Sequence, residues 1–269
     1  MPETLEELAR RAIDGDRDAL DRLVRDLQDD VYGLALRMLW NREDAEDATQ
    51  DILVRVVTRL AQFDFRSRLK TWVYRIAVNQ ILDVKKSPVE RMELSFARFA
   101  DDLVDGLSSD GPGDAERSLL TEEVKIGCTL GMLQCLDRPH RLAYILGEIF
   151  ELPGPEAAHV MAISPALFRK RLQQARTDVT AFTRRHCGLV SDTAACRCNH
   201  RVPRAVRLGR VREDVLHFAG KASSYHETRA YVRRVEEAKQ ALEVHRSSQP
   251  RASSVELTRR LIRVIDAQV

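Results

Sequence analysis

The sequence predicts an all-α protein: two small helical domains joined by a flexible linker and followed by a mostly helical C-terminal extension. Three observations predict it. Glycine and proline number only 12 and nine in 269 residues, and aromatics make up 6%, which leaves little material for strands and turns. Apolar residues recur at three- and four-residue spacing along most of the chain. The interruptions in that spacing fall at turn and cap residues, where helices end. The length suits two domains of roughly 100–200 residues each.

Residues 4–14 and 16–40 carry helical stripes, including Leu20, Leu23, Val24, Leu27, Val31, Leu34 and Leu36, with Asp16 placed to cap the second. Asn41 offers a break and a new cap. From Arg42 to Phe63 a stripe of Ala45, Ala48, Ile52, Val56 and Leu60 leaves the acidic residues on the opposite side. After a short connection at Phe65–Ser67, the stripe of Leu69, Trp72, Val73, Ile76 and Leu82 runs on until Ser87 and Pro88 stop it. The first domain is therefore assigned to residues 8–86.

Residues 87–117 read as the linker, because SSDGPGD and its Asp-rich surroundings combine turn residues with like charge. A second helical domain spans 118–186. Its stripe of Leu119, Leu120, Val124, Cys128 and Met132 is followed by a helix near 139–151 and a break at Pro153, Gly154 and Pro155. Two helices at 155–161 and 165–184 have the spacing of a helix-turn-helix, with Ser164 as cap and Pro165 at the first position of the longer one. Residues 187–269 form the extension: Arg- and Cys-rich text without a stripe, then helical patterns at about 224–246 and 254–267.

Composition excludes disorder throughout, since 44% of residues are hydrophobic, and no apolar run approaches the ~18–20 residues of a membrane span. The opening MPETLEELARRAIDGD has no hydrophobic signal region, so the expected location is the cytoplasm. The net charge of +2 conceals strong segregation. Residues 1–60 hold 15 acids and nine bases, 61–90 six bases and three acids, 91–125 nine acids and four bases, and 165–185 six bases and one acid. Two basic patches, each a footprint for a polyanion, are cancelled by acidic segments.

The stretches DAEDATQDILVRVVTRLAQF and FRSRLKTWVYRIAVNQILDVKK, followed after a linker by LDRPHRLAYILGEIFELPGPEAAHVMAISPALFRKRLQQAR, resemble the extracytoplasmic function (ECF) class of bacterial sigma factors. The resemblance covers about residues 8–186, and LKTWVYRIAVNQILD is similar to that family's promoter-opening segment. The recognition helix departs from the family pattern, opening Pro-Ala-Leu-Phe where small residues and a Thr-Val pair are usual. The resemblance implies a transcription initiation factor without catalytic activity, whose partners are core RNA polymerase and promoter DNA, with an anti-sigma factor unless the extension regulates in cis. No cofactor is required for that role.

Asp44, Asp47 and Asp51 fall at i, i+3 and i+7, so their carboxylates share one helix face with Gln50 beside them. Such a face repels DNA, and the resemblance implies that it docks on the polymerase. The following segment carries Arg66, Arg68, Lys70, Arg75, Lys85 and Lys86 interleaved with Trp72 and Tyr74, which suits single-stranded DNA: bases hold phosphate and planar groups stack on unstacked bases. Trp72 also lies on the apolar stripe and fits the core. Asn79 lies one turn after Arg75, and the resemblance implies a part for it in −10 recognition. In the helix-turn-helix, Ser164, Arg169, Lys170, Arg171, Gln174 and Arg176 are the candidates for the −35 element, read from the major groove. The spacing alone does not decide which of residues 169–171 faces the groove.

Five cysteines, an odd number, argue against a disulfide framework. Cys128 and Cys135 lie in a helical stripe and read as core. Cys187, Cys196, Cys198 and His200 sit in polar text and leave three uses open: zinc or another metal, redox chemistry, or none. Metal ligation requires a turn, because an extended 196–200 segment would span about 13 Å. Two rival functions stand beside the main one. A stand-alone helix-turn-helix regulator leaves the acidic face and the 66–86 segment unexplained. A metal-dependent enzyme using the Cys/His cluster lacks motifs such as His-Glu-x-x-His.

Overall fold

A computed structural model of the chain describes residues 3–84, 88–91, 93–107 and 114–212. The helical patterns expected at 224–246 and 254–267, and the candidates Lys85 and Lys86, lie outside the described residues. Within them the protein is all-α. The sole β pairing there is an isolated parallel bridge between Cys187 and Cys196. No described helix is long and apolar enough to cross a membrane.

The chain divides into two compact units. The described part of the first comprises residues 3–84 and 152–168. Helix α1 (Leu5–Ile13) opens with a reciprocal capping box between Thr4 and Glu7. Helix α2 (Arg17–Leu39) takes the expected Asp16 cap, whose Oδ1 accepts from Ala19 N at 3.0 Å, and ends at Trp40 in the left-handed region, φ 48°. Helix α3 (Arg42–Thr58) starts on the expected Asn41 cap and runs into a short 3₁₀ turn, Leu60–Gln62, rather than a helix continuous to Phe63. Helix α4 (Leu69–Asp83) follows, and its buried Leu69, Val73, Ala77 and Ile81 close a core with Leu27, Val31, Ile52 and Leu53.

The second unit comprises 88–91, 93–107, 114–151 and 169–212 among the described residues. The segment expected to be a flexible linker carries two helices, α5 (Pro88–Arg91) and α6 (Phe96–Val104). Phe99 and Leu103 of α6 are buried in a cluster with Met132, Phe182 and Cys196, and the Phe96 ring lies tilted against Phe182 with centroids 5.1 Å apart. Like charge argued for a solvated tether, but the counter-ions lie far along the chain. Asp102 accepts from Arg201 at 3.0 Å and Arg210 at 2.6 Å, and Asp105 pairs with Arg204.

Helix α7 (Asp114–Gln134) is followed by α8 (Arg138–Tyr144), capped by Asp137. Buried Arg141 donates to the carbonyls of Leu133 and Leu136, satisfying the end of α7, and shares Glu90 with Arg138. A π-helical turn, Ile145–Ile149, leads to α9 (Gly154–Val160) and α10 (Pro165–His186). Finally α11 (Cys198–Arg207) packs along α7, where Cys198, Val202, Ala205 and Val211 share a core with Leu120, Val124 and Leu189.

Candidate functional site

On α3 the stripe Ala45, Ala48, Ile52 and Val56 is buried, so the opposite face is set by default. Asp47 and Asp51 are exposed there, with Asp44 and Gln50 half-buried. Among the described residues no ion pair engages the three carboxylates. Asp51 accepts from Gln80 Nε2 of the next long helix at 3.5 Å, and the expected acidic face is otherwise open.

The segment before α4 is a tight aromatic loop. Phe63 is buried, Phe65 takes a left-handed φ of 58°, and the two rings lie 4.6 Å apart. Arg10 stacks its guanidinium 4.7 Å over Phe65, and Arg66 pairs with Asp64 at 2.5 Å. Trp72 is half-buried against Phe63 at 5.5 Å, so it lies between the two expectations of core and stacking surface. Helix α4 has no side-chain cap of its own; Glu6 supplies one from α1, accepting from Leu69 N at 2.8 Å.

The basic candidates on α4 are not alike. Asn79 is exposed. Lys70 pairs with Asp30 at 2.6 Å. Arg68 donates to Glu156 of α9, and Arg75 donates to the backbone carbonyl of His159. A cavity of about 520 Å³ opens beside these groups, its wall including Phe65, Arg68, Thr71 and Glu156.

The turn between α9 and α10 has the local chemistry of a helix-turn-helix. Ala162 adopts φ 55°, Ile163 N donates back to Ala158 O at 3.1 Å, and Ser164 caps α10 through its Oγ, accepting from Leu167 N at 3.2 Å. On α10, Phe168, Ala175, Val179 and Phe182 are buried. By exposure the three candidates differ: Arg169 and Lys170 are exposed and Arg171 is half-buried. Gln174 is exposed and donates to Asp178 at 3.0 Å. Arg176 is held by the buried carboxylate of Glu148, accepting from its Nε at 2.8 Å. Gln173 shares the exposed side with Arg169 one turn earlier, and its polarity was the only signal of it.

The cysteine set differs from its expectation. Residues 198–207 are helical rather than extended, so Cys198 and His200 project about 200° apart. Among the described residues no group of three or more His, Cys, Asp or Glu side chains is arranged to hold a metal ion. Cys128 packs against the core as expected, and it also lies near Cys187, Cys196 and Cys198. Burial, and then the neighbouring thiols, push Cys128 and Cys198 well above the usual thiol range and Cys196 up to about 12. Arg197 and Arg201 pull the other way but are outweighed, so these thiols stay protonated at neutral pH.

Residues 23–87 match the family Sigma-70 region 2. The chain is similar to the RNA polymerase sigma factor NccH of Alcaligenes xylosoxydans xylosoxydans, 31% identical over 186 residues that cover 67% of this chain and 95% of that protein. It is also similar to the ECF RNA polymerase sigma factor SigW of Bacillus subtilis (strain 168), 29% identical over 170 residues, 60% of this chain and 87% of that protein. Among solved structures, CnrH in complex with the cytosolic domain of CnrY aligns with a TM-score of 0.47 at 22% identity, covering 65% of this chain and 93% of CnrH.

Proposed function

The chain belongs to the ECF class of sigma-70 factors, which direct RNA polymerase to promoters, and from that premise we propose which of its surfaces do so. Helix α3 docks on core polymerase through Asp44, Asp47, Gln50 and Asp51. Helix α4 and its preceding loop hold the melted −10 strand, with Arg66, Arg68, Lys70 and Arg75 on phosphate, Trp72 and the loop aromatics stacking, and Asn79 reading a base. Helix α10 reads the −35 duplex through Arg169, Lys170 and Gln174, with Ser164 fixing its amino terminus and Arg171 and Arg176 supporting from the side. No residue is assigned a catalytic role; RNA synthesis belongs to the polymerase, and the place of action is the cytoplasm.

One observation carries this reading: an open carboxylate face on α3 and a basic, aromatic-flanked helix α4 are packed into one small unit. An acidic face and a nucleic-acid face so close together suit a protein that binds a polymerase and a DNA strand at once, and a stand-alone repressor has no use for the first. Run-off transcription with core polymerase tests it. Asp47→Lys with Asp51→Lys should abolish core binding in a pull-down and transcription with it; retained binding removes the docking assignment.

For the extension, regulation in cis is the reading, alongside an anti-sigma partner. Its support is the packing of α11 on α7 and the pairing of Arg201, Arg204 and Arg210 with α6. A metal role for Cys187, Cys196, Cys198 and His200 is not carried forward, because the helix separates its last two ligands.

A further inference from the structure

Glu156 opens the scaffold helix α9, yet its carboxylate lies in the first turn of α4. Its Oε2 accepts from Arg68 Nη2 at 2.5 Å, from Arg68 Nε at 3.1 Å and from Thr71 Oγ1 at 2.8 Å. One turn on, Arg75 donates to the His159 carbonyl. Ala157, Ala158 and Val160 of α9 are buried. An anionic oxygen gripped by a guanidinium fork and a hydroxyl is also what a phosphodiester presents to a protein. The two arginines engaged by α9 are two of the groups assigned to the DNA strand.

We propose that Glu156 is an internal competitor for nucleic-acid backbone, seating α9 on α4 in the free chain and leaving before α4 engages single-stranded DNA. This rests on the assignment of α4 as the strand-binding helix. The contact is suited to release, because the Arg68 side chain is 61% exposed and that of Glu156 33%, and ion pairs at such sites are weak. A seat of that strength lowers the apparent affinity for DNA by the fraction of chains that are open. The rival account is a carboxylate that merely favours the amino-terminal end of its own helix; it predicts a change in stability and none in DNA affinity.

Fluorescence anisotropy of the full chain with a labelled, mixed-sequence single-stranded oligonucleotide separates the two. Glu156→Gln should tighten binding about three- to tenfold, and adding Arg68→Ala should cancel the gain. Equal affinity of Glu156→Gln and the unmodified chain, with both folded by circular dichroism, overturns the proposal. Should Glu156→Gln fail to fold, Thr71→Val removes the hydroxyl donor without a change of charge and must tighten binding as well; no gain there is equally fatal. Run-off transcription with the unmodified chain keeps the two failures distinct. Loss of promoter-dependent transcripts removes the role of α4, whereas transcription with unchanged strand affinity removes the competitor alone.

Discussion

Helices α4 and α10 carry the two basic surfaces assigned to DNA, and their cations are kept in opposite ways. On α10, Arg169 and Lys170 stand in solvent beside exposed Gln173 and Gln174. On α4, Lys70, Arg68 and Arg75 each already have an oxygen partner from the chain itself. A duplex groove is always available to a free recognition helix, and helical spacing alone presents it. A melted strand exists only at an opened promoter, and a strand-binding surface left bare would hold any polyanion it met. The difference teaches that similar basic composition can encode one open surface and one that is occupied until needed.

The largest expected effect tests the open half of that contrast. Arg169→Ala with Lys170→Ala removes the exposed cations of α10, and at about 1–3 kcal/mol per base-reading contact should reduce run-off transcription by roughly tenfold or more. Core binding in a pull-down should be unchanged. A loss that appears instead in core binding would mean that α10 is not the duplex reader.

A smaller effect compares how the two helices begin. Ser164 caps α10 from the adjacent position, whereas Glu6 caps α4 from a different helix. Glu6→Gln and Ser164→Ala should each lower stability by about 0.5–2 kcal/mol in denaturant titration. Only Glu6→Gln should also weaken binding to a single-stranded oligonucleotide, because it loosens the turn that holds Arg68. Equal effects of both variants on strand binding would erase the distinction.

The smallest effect is a pH dependence confined to the unit that holds residues 169–186 of α10. Glu90 is 3% exposed at its side chain, and although burial pushes its carboxyl up, hydrogen bonds and charge from Arg138 and Arg141 outweigh this and hold it below the ordinary carboxylate value. A depressed folded value stabilises the native state above the ordinary value, about 4.3, and the gain is lost as pH falls through the folded one. Acid titration followed by near-ultraviolet circular dichroism should therefore show a stability decline below pH 4–5 that is shallower in Glu90→Gln. An identical decline in both would place the acid sensitivity elsewhere.

What the sequence revealed, and what it hid, follows the distance over which each interaction is made. The caps Asp16, Asn41 and Ser164 and the buried stripes of α2 and α3 were legible because periodicity and capping are local, whereas the stripe expected on α4 was half right: Leu69 and Val73 are buried, Trp72 and Ile76 are half-buried and Leu82 is exposed. The helix-turn-helix was legible for the same reason. Glu6 on Leu69, Glu156 on Arg68 and Arg201 on Asp102 join residues 63, 88 and 99 positions apart, and no window of sequence contains both partners. For this reason 87–117 read as a tether: its aspartates repel one another locally, while the arginines that neutralise them come from the extension. The cysteine set stayed open in the sequence because its three uses depend on the local conformation at 198, and Pro203 inside α11 did nothing to announce the helix there.

The packing of α11 bears on how much of this protein can be dispensed with. Cys198, Val202, Ala205 and Val211 are shared core with α7, and Arg201 and Arg210 neutralise Asp102 on α6. Trimming the chain at 186 to the size of its shorter relatives would strip α7 of apolar cover and leave α6 with an uncompensated charge. The boundary between the common body and its addition is therefore crossed by the core itself, and a viable shortened form would have to keep everything through Val211. By that measure the first 25 residues of the extension have ceased to be an appendage.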